Sequence, residues 1–157
     1  MNWSDFVRDN PERVKGKPQR RQPLTMGAHA KEWHHQEELM CRIADAYPAA
    51  YTMTTAIEHG VRLSPAQAAK IRRQGRKAGL PDVMCFVRQP RANPMDDWCG
   101  LAIELKVGRN DVTEAQERWL RDLQDVGWAV CVAHGVEQAW AAYREYMQDP
   151  RCFVSGI

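Results

Sequence analysis

Three residues near the middle of the chain have the types and spacing for metal-assisted chemistry: Asp82, Glu104 and Lys106. Alternation in Leu101-Ala-Ile-Glu-Leu-Lys-Val107 puts Leu101, Ile103, Leu105 and Val107 on one strand face, and Ala102, Glu104 and Lys106 on the other. A carboxylate and an ammonium inside an apolar strand are costly to bury unpaired, so they either form a structural ion pair at a strand end or serve a site. The run Asp82-Val-Met-Cys-Phe-Val87 predicts a second strand, apolar on both faces and therefore central. Between the two lies a polar loop, Gln89 to Cys99, with Pro90 and the turn-forming Asn93-Pro94. Position 93 is midway between 82 and 104, so an antiparallel hairpin folded there brings Asp82 beside Glu104. Two carboxylates and a lysine then converge at one sheet edge. A divalent cation best relieves the repulsion between the carboxylates, and hard oxygen donors with open water positions suit Mg²⁺ or Mn²⁺.

The elements that must hold these residues are also readable. Trp33, Met40, Ile43, Ala44 and Tyr47 recur at helical steps, predicting a helix from Ala30 to Tyr47 that Pro48 ends. At 100° per residue, Glu37 falls at the margin of that stripe, as an inward carboxylate or an ordinary boundary glutamate, whereas Glu38 points away toward Arg42. Tyr51 to Ile57 reads as a strand. Ser64-Pro65-Ala66-Gln67 opens a second helix, expected to run to about Ala78 and to stop at Gly79. Thr113-Glu-Ala-Gln116 opens a third, closed by Gly127. Trp128 to Ala133 predicts a buried strand and Val136 to Met147 a last amphipathic helix. The order α-β-α-β-β-α-β-α describes an α/β protein, a mixed sheet flanked by helices.

Charge is segregated along the chain. The sum is +2, but residues 61–91 carry eight Lys/Arg against one Asp, and residues 92–157 carry six basic and eleven acidic residues. A basic block beside a carboxylate-rich site suits a polyanionic partner. Lys70, Arg72, Arg73, Arg76 and Lys77 spread around the second helix, with Arg72, Arg76 and Lys77 the best candidates to face DNA phosphates. Residues 1–28 read as a basic arm in which Lys15, Lys17, Arg20 and Arg21 track a second duplex or form a solvated tail. His34, His35, Cys41 and His59 match no compact zinc-ligand spacing. The five cysteines are scattered without a Cys-x-x-Cys pair and read as reduced thiols of a cytoplasmic protein. The longest apolar run, Trp128 to Ala133, is far too short for a membrane span, and the N-terminus lacks signal-peptide character.

Gly79-Leu-Pro-Asp82, then Ile103-Glu104-Leu-Lys106, then Thr113-x-x-Gln116 followed by Trp119, resembles the VRR-NUC branch of the PD-(D/E)XK nucleases. The resemblance covers roughly residues 30–147, including His35-Gln36-Glu37 at the start of the first helix. A lone Asp…Glu-x-Lys triplet is common by chance; the ordered set is far more specific. The resemblance implies a restriction-endonuclease-like fold at residues 29–149, with a short tail at 150–157. It also implies Mg²⁺- or Mn²⁺-dependent endonucleolytic hydrolysis of DNA phosphodiesters, with stand-alone members acting as homodimers on branched DNA such as four-way (Holliday) junctions. Carried over by position, Asp82, Glu104 and the Leu105 backbone carbonyl would hold the metal, and Glu37 would complete the site directly or through water. Lys106 would position or deprotonate the attacking water, and Gln116 would orient Lys106 or a water. Gln116 also fits a plain capping role at Thr113. Many relatives carry Asn-Gly after the first strand where this chain has Glu58-His59-Gly60, so His59 takes the corresponding contact to substrate or water. No small-molecule cofactor and no membrane partner are expected, and a compact nuclease of this kind fits a phage or bacterium. The rival reading is a non-catalytic DNA-binding module that keeps the fold; the intact Asp82, Glu104 and Lys106 argue against it.

Overall fold

The computed structural model describes residues 31–57, 64–91, 97–148 and 156. The elements are α1 (Glu32–Ala46), α2 (Pro48–Tyr51), β1 (Thr54–Ala56), α3 (Pro65–Arg73), β2 (Val83–Cys85), β3 (Leu101–Lys106), α4 (Glu114–Asp125), β4 (Ala129–His134) and α5 (Val136–Gln148). The strands form one mixed sheet in the order β1-β2-β3-β4, antiparallel except for the β3–β4 pair. This is the expected α/β architecture with one added helical turn.

That turn is α2. Pro48 ends α1, but its fixed φ also suits a first helical position, so a four-residue helix follows and the strand expected from Tyr51 shrinks to Thr54–Ala56. A second difference concerns the basic helix. Ser64 and Gln67 form the expected capping box, yet α3 ends at Arg73 rather than near Ala78. Gly75, with φ +92°, is the first left-handed position available to the chain, and it stops the helix before Gly79. Arg76 and Lys77 therefore lie beyond the helix, in the connection to β2.

The hairpin folds in the expected register. Val83 pairs with Ile103 and Cys85 with Leu101, so one further step sets Asp82 opposite Glu104. Beyond β2 an isolated bridge joins Gln89 to Trp98. Three residues lie between Cys85 and Gln89 but two between Trp98 and Leu101, so the first arm carries one extra residue, a bulge.

Alternation assigns the sheet's two faces. Leu101, Ile103 and Leu105 pack with Leu39 and Ile43 of α1 and Ala139 and Tyr143 of α5. Ala102, Met84 and Val130 pack on the other face with Leu120 and Leu123 of α4. The side chains of Glu104 and Lys106 therefore lie on the α4 side. Buried hydroxyls are satisfied: Tyr143 shares a hydrogen bond with Thr54 at 3.0 Å, and Tyr146 donates to the Val87 carbonyl at 2.6 Å. Among the described residues, no helix is long and apolar enough to cross a membrane.

Candidate active site

The site begins with β3. All six of its residues are buried, including Glu104 at 1% and Lys106 at 5% exposure. Two adjacent like-facing positions in a fully buried strand leave the charges little choice but each other. Lys106 Nζ donates to Glu104 Oε1 at 2.8 Å. Asp82, also buried, enters from the head of β2, and its Oδ2 accepts the Leu105 backbone N–H at 2.7 Å. That bond clamps the two arms of the hairpin together at the level of the site.

Gly79 positions the approach to Asp82. Its φ is +82°, and a Cβ there would come within 2.6 Å of the Ala115 carbonyl carbon. Only glycine lets the chain turn this close to the first turn of α4. The Trp119 indole N–H then donates to the Ala78 carbonyl at 2.9 Å, fixing the same approach from the next turn of the helix.

From α4 comes Gln116, which fills both roles its sequence context suggests. Its Oε1 accepts from the Thr113 backbone N–H at 2.8 Å, completing the capping box. The same oxygen accepts from Lys106 Nζ at 3.2 Å, and its Nε2 donates to Glu104 Oε1. Helix capping and site assembly are one structure here.

Glu104 Oε2 is buried and has no hydrogen-bond partner among the described residues. Its carboxyl is pushed up to about 7, first by burial and next by the negative charge of Asp82; Lys106 pulls the other way, and Glu32 of α1 adds to the rise. A buried, unsatisfied oxygen on a carboxylate that feels the charge of a second one is the feature a hard cation would complete. Among the described residues no group of three or more His, Cys, Asp or Glu lies close enough to hold a metal ion. Asp82 and Glu104 as donors suit an ion that keeps most of its waters, as Mg²⁺ does, and not a closed zinc site.

Helix α1 reaches the site from the opposite face. Gln36 Nε2 donates to the Asp82 carbonyl at 2.8 Å and to the Ile57 carbonyl at 2.9 Å, tying α1 to the start of β2 and the end of β1. His35 Nδ1 accepts the Val136 N–H at 3.1 Å, and Arg42 links Glu38 to Glu137, so α1 is also fixed to α5. Glu37 is half-buried on this helix. The α1 carboxylate whose charge acts on Glu104 is Glu32, four residues before Gln36 and so on the same helix face. Glu32 and Gln36 were not among the residues expected at the site. A polar side chain at the centre of an apolar stripe was the available signal, since Gln36 lies between the angular positions of Ile43 and Met40.

His134, the register partner of Lys106 on β4, is exposed at the strand end and was also not anticipated. Arg72, Arg76 and Lys77 are all exposed, ahead of Asp82 in the chain. His59 and the arm residues Lys15, Lys17, Arg20 and Arg21 lie outside the described residues.

The family model described as the VRR-NUC domain matches residues 25–137. A solved structure described as a "VRR_NUC domain protein" resembles this chain with a TM-score of 0.63 at 23% identity, over 81% of this chain and 97% of that one. Comparison with curated proteins finds no match. The structural likeness concerns the fold, the mixed four-stranded sheet between helices; the model match spans both hairpin arms and the Gln116 helix, and with it the chain belongs to the VRR-NUC family of nuclease-type domains.

Proposed function

We propose that this chain is a divalent-metal-dependent endonuclease that hydrolyses DNA phosphodiesters, acting on branched DNA such as four-way junctions. The observation that carries the reading is the buried Glu104 carboxylate, with one oxygen unsatisfied and Asp82 beside it. Asp82 and Glu104 would hold Mg²⁺ or Mn²⁺, with the Leu105 carbonyl as a further oxygen. Helix α1 would supply a third carboxylate, directly or through water. Glu37 is one source and Glu32, whose charge adds to the rise at Glu104, is the other. A bound ion supplies charge neutralisation at the phosphate and a more acidic water.

The protein's own groups do the rest. Lys106 Nζ, held between Glu104 Oε1 and Gln116 Oε1, stands beside the carboxylates, where it orients the attacking water and meets charge developing on the phosphate. Gln116 limits the swing of that ammonium through its anchor on Thr113. Arg72, Arg76 and Lys77 contact DNA phosphates, joined by His59 and by Lys15, Lys17, Arg20 and Arg21 of the arm. The working unit is residues 29–149, between an arm at 1–28 and a tail at 150–157, and it acts as a homodimer.

The test compares wild type with Asp82→Ala and Lys106→Ala on a four-way junction and on linear duplex, in Mn²⁺, Mg²⁺ or EDTA. Metal-dependent cleavage of the junction by wild type alone is the expected result. Absence of metal-dependent cleavage of any DNA by wild type overturns the reading. Salt-sensitive binding without cleavage identifies the non-catalytic DNA-binding module instead. Equal cleavage of linear duplex removes the branched-substrate assignment, and sedimentation as a monomer at micromolar concentration removes the dimer.

A further inference from the structure

The first turn of α1 carries an exposed aromatic group beside the site that the chemistry above does not use. Trp33 is 53% exposed, next to Glu32, whose charge reaches Glu104, and one helical turn before Gln36, which bonds the Asp82 carbonyl. Its indole lies against the His34 imidazole at a tilt, with centroids 3.6 Å apart and planes at 31°. Adjacent residues of a helix do not ordinarily face one another, so this contact is a particular arrangement. His34 is itself pinned: its Nδ1 accepts the Lys31 backbone N–H at 2.9 Å, and its backbone N–H donates to the Lys31 carbonyl at 2.9 Å. A fixed imidazole thus backs one face of the indole.

We infer that Trp33, backed by His34, is a stacking platform for a nucleobase of the DNA strand next to the scissile phosphate. The inference rests on the proposed nuclease function and narrows its substrate. Angular order along α1 supports the placement. His35 meets the head of α5, and Gln36 sits over the ends of β1 and β2. Trp33 follows on the side of Gln36 away from His35, so it lies toward the end of β1, where Gln36 bonds the Ile57 carbonyl. A strand whose scissile phosphate met Asp82 and Lys106 would find this indole one helical turn from the Gln36–Asp82 contact. A flat ring can stack only on a base whose face is open. Inside a continuous duplex every base face is covered by its neighbour, whereas at a branch point the helical stack is interrupted. Trp33 therefore selects for DNA with an open base face at the cleavage position, with a stacking contribution typical of single-strand binders.

The experiment uses the full chain with Asp82→Ala, so that DNA remains intact, and four-way junctions carrying 2-aminopurine on either side of the branch point. The parent should quench the 2-aminopurine on binding. Adding Trp33→Ala should abolish the quench and weaken junction binding by roughly tenfold, while Trp33→Phe should restore most of both. Linear duplex with an internal 2-aminopurine should show no Trp33-dependent quench. Unchanged quench and affinity in Trp33→Ala overturn the inference, as does an equal loss of affinity for the linear duplex. Cleavage by the Asp82-containing protein is assayed separately with Mn²⁺. Loss of the stacking signal with cleavage intact removes only the role of Trp33, and a stacking signal without wild-type cleavage removes the nuclease reading while leaving the platform.

Discussion

Glu104 concentrates the tension in the site: it is the most buried of the charged groups, and one of its oxygens has no partner. Its carboxyl stands at about 7 against an ordinary 4.5, so the folded protein holds that proton more tightly than the unfolded chain does. The stability gained from the protonated form is complete below the ordinary value and is lost as pH rises through about 7. In EDTA, Glu104→Gln should therefore melt above wild type at pH 8, and the gap should narrow by about pH 5.5 and close below the ordinary value of 4.5. Thermal melting at the two pH values checks this; a gap independent of pH rejects it. Mn²⁺ should raise the melting temperature of wild type, but not of Glu104→Gln, at the higher pH. Lys106 gives the complementary case. Lys106→Met leaves the Glu104 charge without its 2.8 Å partner and should cost about 3–5 kcal/mol in urea unfolding. The double variant with Glu104→Gln should recover most of that loss; failure to recover would show that Lys106 acts through packing instead. Asp82, Glu104 and Lys106 were legible because alternation and a hairpin midpoint fix their neighbourhood with no knowledge of the rest of the fold. Glu32 and Gln36 were not, because their role depends on how α1 lies across the sheet, and helical periodicity gives a face without saying what it faces.

At the scale of elements, the site depends on where helices stop and start. The Gly79 turn and the first turn of α4 occupy the same space, which explains why a glycine precedes the Leu-Pro-Asp run. Gly79→Ala combines a left-handed φ with a collision against Ala115 backbone and should destabilise by roughly 2–4 kcal/mol. Gly108→Ala is the control, with φ +65° and open space around it, and should cost only about 1 kcal/mol. Chemical denaturation of both variants measures the difference, and equal losses would mean that the Ala115 contact yields freely. The helix starts at Ser64 and Thr113 were readable because their capping boxes are local hydrogen-bonding patterns. The end of α3 was not, since Gly75 and Gly79 both offered a stop and the choice falls to the first that can adopt it. The split of Tyr51–Ile57 into a helical turn and a three-residue strand likewise reflects two competing local preferences, settled by the pairing of Thr54 with Cys85.

Over the whole molecule, the nearly neutral sum of charges hides a functional division of the chain. The carboxylates that matter are buried in a sheet held by α1 and α4, whereas the basic block lies in α3 and the segment after it. No residue of α3 is buried. A helix that contributes nothing to the core yet carries Lys70, Arg72 and Arg73 is under little constraint from stability, so its side chains can answer to a partner. Its capping box at Ser64 supports the first turn, and only Ala68, Ala69 and Ile71 of the helix are half-buried. If these residues hold DNA through phosphates, affinity must fall with salt, and each contact removed must flatten that dependence. Arg72→Gln and Lys77→Gln should each lower the slope of log affinity against log salt by about 0.9, with similar effects on every DNA sequence. Their melting temperatures should stay near that of wild type, because both side chains are exposed. The pair of measurements separates two explanations of the basic block. Reduced affinity with an unchanged salt slope would mean that these residues act on the shape of the protein and not on the phosphates. An unchanged affinity would move the electrostatic grip to the arm, where Lys15→Gln and Arg20→Gln would then carry the effect.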